Sequence, residues 1–205
     1  MPLLTSHPDR EELFARLKTN IVLRSLKART LNELEKLLSV NEYRKGDVLI
    51  SQGAHDMEQY FVIDGVLKRV VSSNQGKEMI LRFTVEDDIE TSYAAWKLRT
   101  PAPYSIRVVS RRAHVAKMPL PVWNTFLQRH PDLKADFEYE VMHLMSEVMA
   151  HTITLHLLDA AGRVDRFVRK RPDLYERVPK KELASYLNLS PETLSRLRHK
   201  EKFGE

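Results

Sequence analysis

Hydrophobic and polar positions divide the chain into regions of different periodicity. Between residues 8 and 40, apolar residues recur at helical spacing, as in "REELFARL" and "LNELEKLL". From residue 41 to about 118, short runs rich in β-branched and aromatic residues predict strands: "DVLI", "YFVI", "VLKRVV", "MILRF" and "IRVV". Pro119, Pro121 and Pro131 then mark a return to helix.

Glycines separate the predicted strands. Gly46, Gly53, Gly65 and Gly76 each stand between two strand-like runs, where a turn commonly requires a positive φ. Many short strands at nearly even spacing are typical of a barrel or jelly roll.

Residues 132–158 contain neither Pro nor Gly and predict one long helix. Along this helix, one seam of mostly apolar residues recurs at alternating steps of four and three: Phe137, Val141, Leu144, Val148, His151, Leu155 and Leu158. Three methionines beside the seam, Met142, Met145 and Met149, widen the apolar surface.

A helix that is apolar on two adjoining faces needs two partners. We expect one face to pack on the strand region and the seam residues from Phe137 to Leu155 to form a dimer interface. Packing on the chain's own strands alone is the alternative. His151 fits as a polar residue that fixes the register, with a ligand or sensor role as the other option. Asp159 can cap the next helix, and we predict a hinge near residues 158–162.

The stretch "LASYLNLSPETLSRLR" (183–198) predicts two short helices joined by a tight turn. Asn188 tolerates the left-handed conformation that ends the first helix. Ser190 can cap the second helix, and Pro191 suits its first position. With small Ala184 where the helices would cross, the spacing matches a helix-turn-helix.

The second of these helices presents hydroxyl, carboxylate and guanidinium groups outward. In a DNA major groove, Arg bonds guanine bidentately, Glu accepts from cytosine, and hydroxyls reach phosphates. An ordinary helical hairpin is the alternative. The predicted DNA-binding residues are Lys180, Ser190, Glu192, Thr193, Ser195, Arg196, His199 and Lys200.

The net charge of +5 is concentrated at the C-terminal end. From Arg163 to Glu205 there are 12 Lys and Arg residues against 7 Asp and Glu, whereas the other 162 residues hold 21 of each sign. A basic patch on a small terminal unit is typical of binding to a phosphate backbone. Charge alone leaves open a basic surface that serves only solubility.

Composition narrows the chemistry. The chain has no cysteine, which excludes disulfides, thiolate-bound iron–sulfur clusters and a cysteine nucleophile. It has no HExxH zinc motif, no Walker loop and no nucleophile–base pair, so we expect neither catalysis nor a metal site. Without an apolar run of signal-peptide length or a window of about 18 apolar residues, we expect a soluble cytoplasmic protein with no membrane partner.

A strand region, a long helix and a helix-turn-helix, in that order, resemble the Crp/Fnr (cyclic-AMP receptor protein/fumarate–nitrate regulator) family of bacterial transcription factors. "RKGDVLISQGAHDMEQYFVIDGVLKRVVSSNQGKEMILRF" is similar to that family's cyclic-nucleotide-binding β-roll. "VPKKELASYLNLSPETLSRLR" is similar to its helix-turn-helix, with "SPETLSR" as the most specific match.

The resemblance implies a homodimer whose recognition helices meet two half-sites about 34 Å apart on a palindromic DNA operator. It also implies RNA polymerase as a potential partner. By position, Glu192 and Arg196 match the family's base-reading Glu and Arg, whereas Pro191 stands where the family often has Arg or a polar residue.

The family's phosphate-binding stretch is altered in this chain. Cyclic-nucleotide-binding members carry Gly-Glu followed by Arg-Ser or Arg-Thr, and the equivalents here are Ile89-Glu90 and Pro103-Tyr104. Asp87 and Asp88 stand where the family has glycines. An acidic start and a missing phosphate-binding arginine disfavour a cyclic nucleotide.

Haem is also disfavoured, because His55 and His114 have no distinguishing spacing. We therefore expect no cofactor, and either an unknown small-molecule effector or none. The two arginines among the candidate pocket residues could equally be outward polar positions. These candidates are Arg69, Arg82, Glu90, Thr91 and Tyr104.

We predict an α+β protein with three parts: a cyclic-nucleotide-binding-type β-roll (jelly roll) over residues 1–130, a dimerisation helix over 131–159, and a C-terminal winged helix-turn-helix over 160–205. The predicted function is a homodimeric, sequence-specific transcription regulator that does not respond to cyclic AMP. The rival is a small-ligand-binding signalling module that acts through protein partners. The link "RPDLYERVP" is short for a complete β-wing, which keeps this rival open.

Overall fold

The computed structural model describes residues 3–203, with side chains described as far as Leu197. Within that range, two short N-terminal helices precede two four-stranded antiparallel sheets, and a series of helices follows them. The strands are β1 (Ser39–Arg44), β2 (Val48–Ile50), β3 (Glu58–Asp64), β4 (Leu67–Ser72), β5 (Glu78–Thr84), β6 (Ile89–Thr91), β7 (Ser105–Val108) and β8 (Arg112–Pro119).

The strand order is β1-β8-β3-β6 in one sheet and β2-β7-β4-β5 in the other. A 3-10 turn at Leu4–Ser6 precedes the α-helices. These are α1 (Arg10–Leu17), α2 (Ala28–Glu35), α3 (Tyr93–Lys97), α4 (Leu120–Arg129), α5 (Pro131–Leu157), α6 (Ala160–Lys170), α7 (Pro172–Arg177), α8 (Lys180–Tyr186) and α9 (Pro191–Phe203). The predicted fold class, a β-roll followed by a long helix and C-terminal helices, is confirmed.

The main core lies between the two sheets and under α4 and the first half of α5. Trp123 stands at its centre, with its ring edge-on to Phe61 at 5.4 Å and to Phe137 at 5.3 Å between centroids. All three side chains are fully buried. Because edge-to-face aromatic pairs add to the free energy of apolar burial, this cluster fixes α5 against the β-roll.

A second core joins the C-terminal helices to the outer side of the β4-β5 sheet. Ile80 and Phe83 of the sheet are buried together with Leu183 and Leu194 of the helix-turn-helix. The helix-turn-helix therefore shares apolar surface with the sheet, and its orientation depends on that packing.

Two predictions of local structure need correction. Residues 8–40 are not helical throughout, because strand β1 begins at Ser39 and pairs with β8. The link "RPDLYERVP" forms helix α7 over Pro172–Arg177, so within the described residues no wing strand occupies this link.

Gly65 is required for the close approach of two strands. Its φ is +96°, and an added Cβ would lie 2.6 Å from the Cβ of Ala113 and 2.7 Å from the carbonyl oxygen of Arg112. We expect Gly65→Ala to lower the free energy of unfolding by about 2–3 kcal/mol, because it adds backbone strain to a steric clash. Gly53→Ala is the matched control, since its φ is +88° but nothing lies within 4 Å of the added atom. If urea denaturation showed that Gly65→Ala and Gly53→Ala lower the free energy of unfolding equally, the close approach of the two strands would not be the reason that Gly65 is required.

Candidate nucleic-acid interface and effector pocket

The turn between α8 and α9 has the geometry that the sequence predicts. Asn188 has φ +53° and ends the first helix in the left-handed conformation. The backbone N–H of Thr193 donates to the Ser190 hydroxyl at 3.1 Å. Ser190 is therefore the N-cap of α9, which begins at Pro191. Local capping preferences therefore determine the angle between the two helices.

Apolar residues hold α8 and α9 together from the inside. Leu183 and Ala184 of α8, Leu187 directly after it and Leu194 of α9 are all at most 2% exposed. The backbone N–H of Leu189 donates to the carbonyl oxygen of Ala184 at 2.9 Å, which closes the turn over the small side chain.

The outward face of α9 carries a carboxylate and a guanidinium one helical turn apart. Glu192 and Arg196 are exposed, whereas Thr193 and Ser195 are half-buried. Lys180 and Ser190 are exposed at the starts of their helices. His199 and Lys200 belong to α9, but their side chains lie outside the part of the chain that the structure describes.

Glu192 lies in the first turn of α9 and is ionised at neutral pH. A backbone N–H at the helix start and the Ser190 hydroxyl lower the pKa of its carboxyl group. A carboxylate at this position is stabilised by the helix dipole and can accept a hydrogen bond from a donor in front of the helix.

Two ion pairs connect the β-roll to the C-terminal helices. Lys68 of β4 contacts Glu182 of α8 at 2.7 Å, and both side chains are largely buried. Arg177 of α7 donates to Glu86 at 2.9 Å. Charge-assisted contacts of this kind give the interface a directional component beyond its apolar packing.

The five predicted pocket residues come together inside the β-roll, and all are at most 9% exposed. Arg69 and Arg82 therefore point inward, which resolves the alternative that the sequence left open. Arg69 donates to Glu90 through Nε at 3.1 Å and also through a second, shorter contact from Nη2. Glu90 is fully buried, and its other oxygen accepts a hydrogen bond from Thr84 at 2.8 Å.

Arg82 extends this network to the long helix. Its guanidinium contacts Asp88 at 3.0 Å and Glu147 of α5 at 3.3 Å, with Glu90 at 3.7 Å. Sequence reasoning missed Asp88 and Glu147 as partners. The alternation of Arg82 and Thr84 along β5 was the available signal, because alternate residues of a strand share one face.

Thr91 and Tyr104 also belong to this buried network. The Tyr104 hydroxyl donates to the carbonyl oxygen of Thr91 at 2.7 Å, and the Arg69 guanidinium lies 4.1 Å from the centre of the Tyr104 ring. Burial on its own would raise the pKa of Glu90, but the positive charges of Arg69 and Arg82 lower it below the usual value. The carboxylate and both guanidinium groups therefore satisfy one another.

The seam of α5 faces the chain itself. Phe137 and Leu144 are at most 4% exposed and pack in the main core, so in this structure they are not available to a second subunit. His151 stacks on Tyr186 of α8 with 3.7 Å between ring centres, and its Nε2 lies 3.0 Å from the Tyr186 carbonyl oxygen. Burial lowers the pKa of His151 to about 4, so the ring is neutral at physiological pH.

The opposite side of α5 is apolar and exposed. We name it the methionine face, and its side chains are at least 50% exposed. It is formed by Tyr139, Met142, Met145, Met149, Ile153 and Leu157. Of the predicted interface residues, Val141, Val148 and Leu155 are half-buried on the seam side rather than on this face. The β-roll covers Phe137 and Leu144 of the seam, and Tyr186 of α8 covers His151.

Helix α6 begins where the sequence places the hinge. Asp159 Oδ1 accepts a hydrogen bond from the backbone N–H of Gly162 at 2.8 Å, which confirms Asp159 as the cap. Among the described residues, no helix is long and apolar enough to cross a membrane. The same part of the chain contains no cluster of His, Asp or Glu suited to a metal ion.

Comparison with known proteins supports the same architecture. The cyclic nucleotide-binding domain family matches residues 40–130. A search of curated proteins gives no significant match.

Solved structures resemble the chain over nearly its whole length. CooA from Carboxydothermus hydrogenoformans, in a mutant form, has a TM-score of 0.70 at 17% identity, covering 90% of this chain and 85% of its own. FixK2 from Bradyrhizobium japonicum has a TM-score of 0.70 at 15% identity, covering 82% of this chain and 86% of its own. The c-di-GMP-responsive global regulator CLP from Xanthomonas campestris has a TM-score of 0.68 at 16% identity, covering 86% and 92%.

At these identities the likeness establishes the fold alone. The chain therefore carries a cyclic nucleotide-binding domain in the fold of the Crp/Fnr-type regulators.

Proposed function

We propose that the chain is a homodimeric, sequence-specific DNA-binding regulator of transcription. The observation that carries this proposal is the exposed pair of Glu192 and Arg196 on a capped helix α9. A carboxylate and a guanidinium one turn apart can read a cytosine and a guanine in the major groove. The excess of positive charge from Arg163 onward supplies the attraction to phosphate.

The methionine face supports a dimer. A long, exposed apolar stripe on one helix is costly in water, and flexible methionines adapt well to a partner helix. Two copies joined along this face would place two α9 helices on one side of the DNA, as a two-fold symmetric operator requires.

The buried network supports a regulator that does not respond to cyclic AMP. In this structure Glu90 bonds Arg69 and Thr84, so the carboxylate that could bond a ribose is already satisfied. Pro103 stands where an arginine would hold a phosphate, and the hydroxyl of the neighbouring Tyr104 donates to the carbonyl oxygen of Thr91. A cyclic nucleotide would have to break these buried contacts before Glu90 could bond a ribose.

A second candidate function is a signalling module that docks a protein through α8 and α9. Helix α7 in place of a wing strand favours it, because fewer backbone groups are then available for phosphate contacts. This candidate predicts weak DNA binding with no preference among sequences.

Arg196→Ala tests the proposal. We expect it to lower affinity for a preferred duplex by about 1–3 kcal/mol and to relax the preference at one base pair. Fluorescence anisotropy with a duplex series that varies each base pair measures both effects. Arg169→Ala is the matched control, since Arg169 is exposed on α6 and pairs with Asp165. A uniform loss on all sequences would show that Arg196 contacts phosphate and does not read a base.

A further inference from the structure

A cavity of about 350 Å³ lies where the β-roll, the long helix and the C-terminal helices meet. Strand β5 forms one wall, α5 a second, and α6 to α8 the rest. Its volume is within the range of sites for small molecules. Of the five residues predicted for the effector pocket, only Arg82 lines it, so the cavity lies outside the buried network of Arg69, Glu90, Thr91 and Tyr104.

The inner wall of this interdomain cavity is apolar. Phe83 of β5 lies against Tyr186 of α8, with 5.1 Å between ring centres, and Phe167 of α6 lies 5.5 Å from the same ring. Leu81 and Leu174 also line the cavity. Such a wall favours an apolar or aromatic body over a fully hydrated ion.

Positive charge surrounds that apolar wall. The lining residues include five cationic side chains and one carboxylate, Glu147. The cations are Arg82, Arg163, Arg166, Lys170 and Arg171. Since a focused field of one sign raises the local concentration of ions of the opposite sign, the cavity attracts anions.

Not all of these charges are compensated. Arg82 is paired with Asp88 and Glu147. Arg163 donates to the carbonyl oxygens of Leu158 and Leu187, which orient its guanidinium without neutralising it.

Arg166 and Lys170 are exposed, and no carboxylate among the described side chains forms an ion pair with either. Arg163, Arg166 and Lys170 share one face of α6 at steps of three and four. Three cations therefore border one edge of an apolar cavity.

We propose that this interdomain cavity binds a small organic anion, with a carboxylate or phosphate group against Arg163, Arg166 and Lys170 and an apolar body against Phe83, Phe167 and Tyr186. Such a ligand would contact the sheet, the long helix and α8 at once. Its binding would favour the observed docking of the helix-turn-helix by its differential affinity for that arrangement. The binding itself does not depend on DNA recognition, whereas this regulatory consequence rests on the proposed function.

The test uses the full chain and 8-anilinonaphthalene-1-sulfonate, which joins a sulfonate to an aromatic body and fluoresces in apolar surroundings. We expect saturable binding of one probe per chain. Arg166→Gln and Lys170→Gln should each weaken it by about tenfold, as the loss of a charge-assisted contact predicts. Arg169→Gln is the matched control on the same helix, because Arg169 pairs with Asp165 and does not line the cavity. It should leave binding unchanged.

Competition distinguishes the two head groups. Displacement of the probe by phenyl phosphate but not by benzoate assigns a phosphate ligand, and the reverse assigns a carboxylate. Absence of saturable probe binding, or equal binding by Arg166→Gln and Arg169→Gln, would overturn the proposal. So would loss of DNA affinity in Arg166→Gln with probe binding intact, since Arg166 would then serve a DNA phosphate.

Discussion

Replacing Arg69 with methionine is expected to lower the free energy of unfolding by about 3–5 kcal/mol. The substitution leaves the Glu90 carboxylate fully buried without its main partner, and an unpaired buried charge is far costlier than a lost surface contact. Urea denaturation followed by circular dichroism measures the loss.

Arg112→Met is the matched control for this prediction. Arg112 also pairs with a glutamate, Glu42, at 2.9 Å, but its side chain is 66% exposed. An exposed pair contributes about 1 kcal/mol or less. If Arg69→Met and Arg112→Met cost the same, the buried network does not stabilise the β-roll as described.

The pH dependence of the same network has a defined sign. Arg69 and Arg82 lower the pKa of Glu90 in the folded state against the effect of burial. Its contribution to stability is therefore fully present above the pKa of an unfolded glutamate, about 4.3, and is lost as pH falls towards the folded-state value. We expect the difference in unfolding free energy between the wild type and Glu90→Gln to be largest near neutral pH and to narrow below about pH 4. A constant difference over this range would show that the ionised form of Glu90 is not what Arg69 requires.

Replacing Met149 with glutamate is expected to raise the dissociation constant of the dimer by at least about a hundredfold. Met149 is 67% exposed near the middle of the methionine face, and two-fold symmetry would bury the new charge twice in one interface. Sedimentation velocity over a concentration series measures the shift from dimer to monomer.

Two further variants make this result specific. Leu98→Glu removes a similarly exposed apolar side chain, 74% exposed, that follows α3 and is not part of the methionine face, and it should leave the dimer intact. Val148→Glu should also leave it intact, because Val148 is half-buried and lines the interdomain cavity. If Val148→Glu were monomeric while Met149→Glu remained dimeric, the dimer interface would be the seam and not the methionine face.

The sequence predicts the structure correctly where interactions between neighbouring residues determine it. Asn188, Ser190 and Asp159 each act on backbone groups within a few residues, so capping rules predict their geometry. The long helix follows from its uninterrupted periodicity, and its observed span, Pro131–Leu157, is within a residue or so of the predicted one.

The sequence does not reveal features that depend on distant partners. Strand β8 contains Lys117, which is 5% exposed because Glu58 contacts it at 2.7 Å from β3. A buried lysine looks like a surface residue until its partner is known. The sequence does not predict strand β6 for a similar reason. The strand has only three residues, and its central Glu90 is buried against Arg69, which lies 21 positions earlier in the chain.

Periodicity also cannot say which apolar side of a helix faces which partner. Both the seam and the methionine face of α5 are apolar, and the sequence favoured the seam as the dimer interface because its heptad spacing is regular. In the structure, Phe137 of the seam makes aromatic contacts in the chain's own core and His151 stacks on Tyr186 of α8, which leaves the methionine face as the more exposed apolar side.

Selection from a random pool of DNA duplexes tests the central claim most directly. The purified, ligand-free protein would be used at near-physiological salt, where non-specific attraction is weak. We predict enrichment of a palindrome whose half-sites lie one helical turn apart, about 10 base pairs from centre to centre. Recovery of no preferred sequence, both without ligand and with an anion that binds the interdomain cavity, would contradict the account and favour a protein partner for α8 and α9.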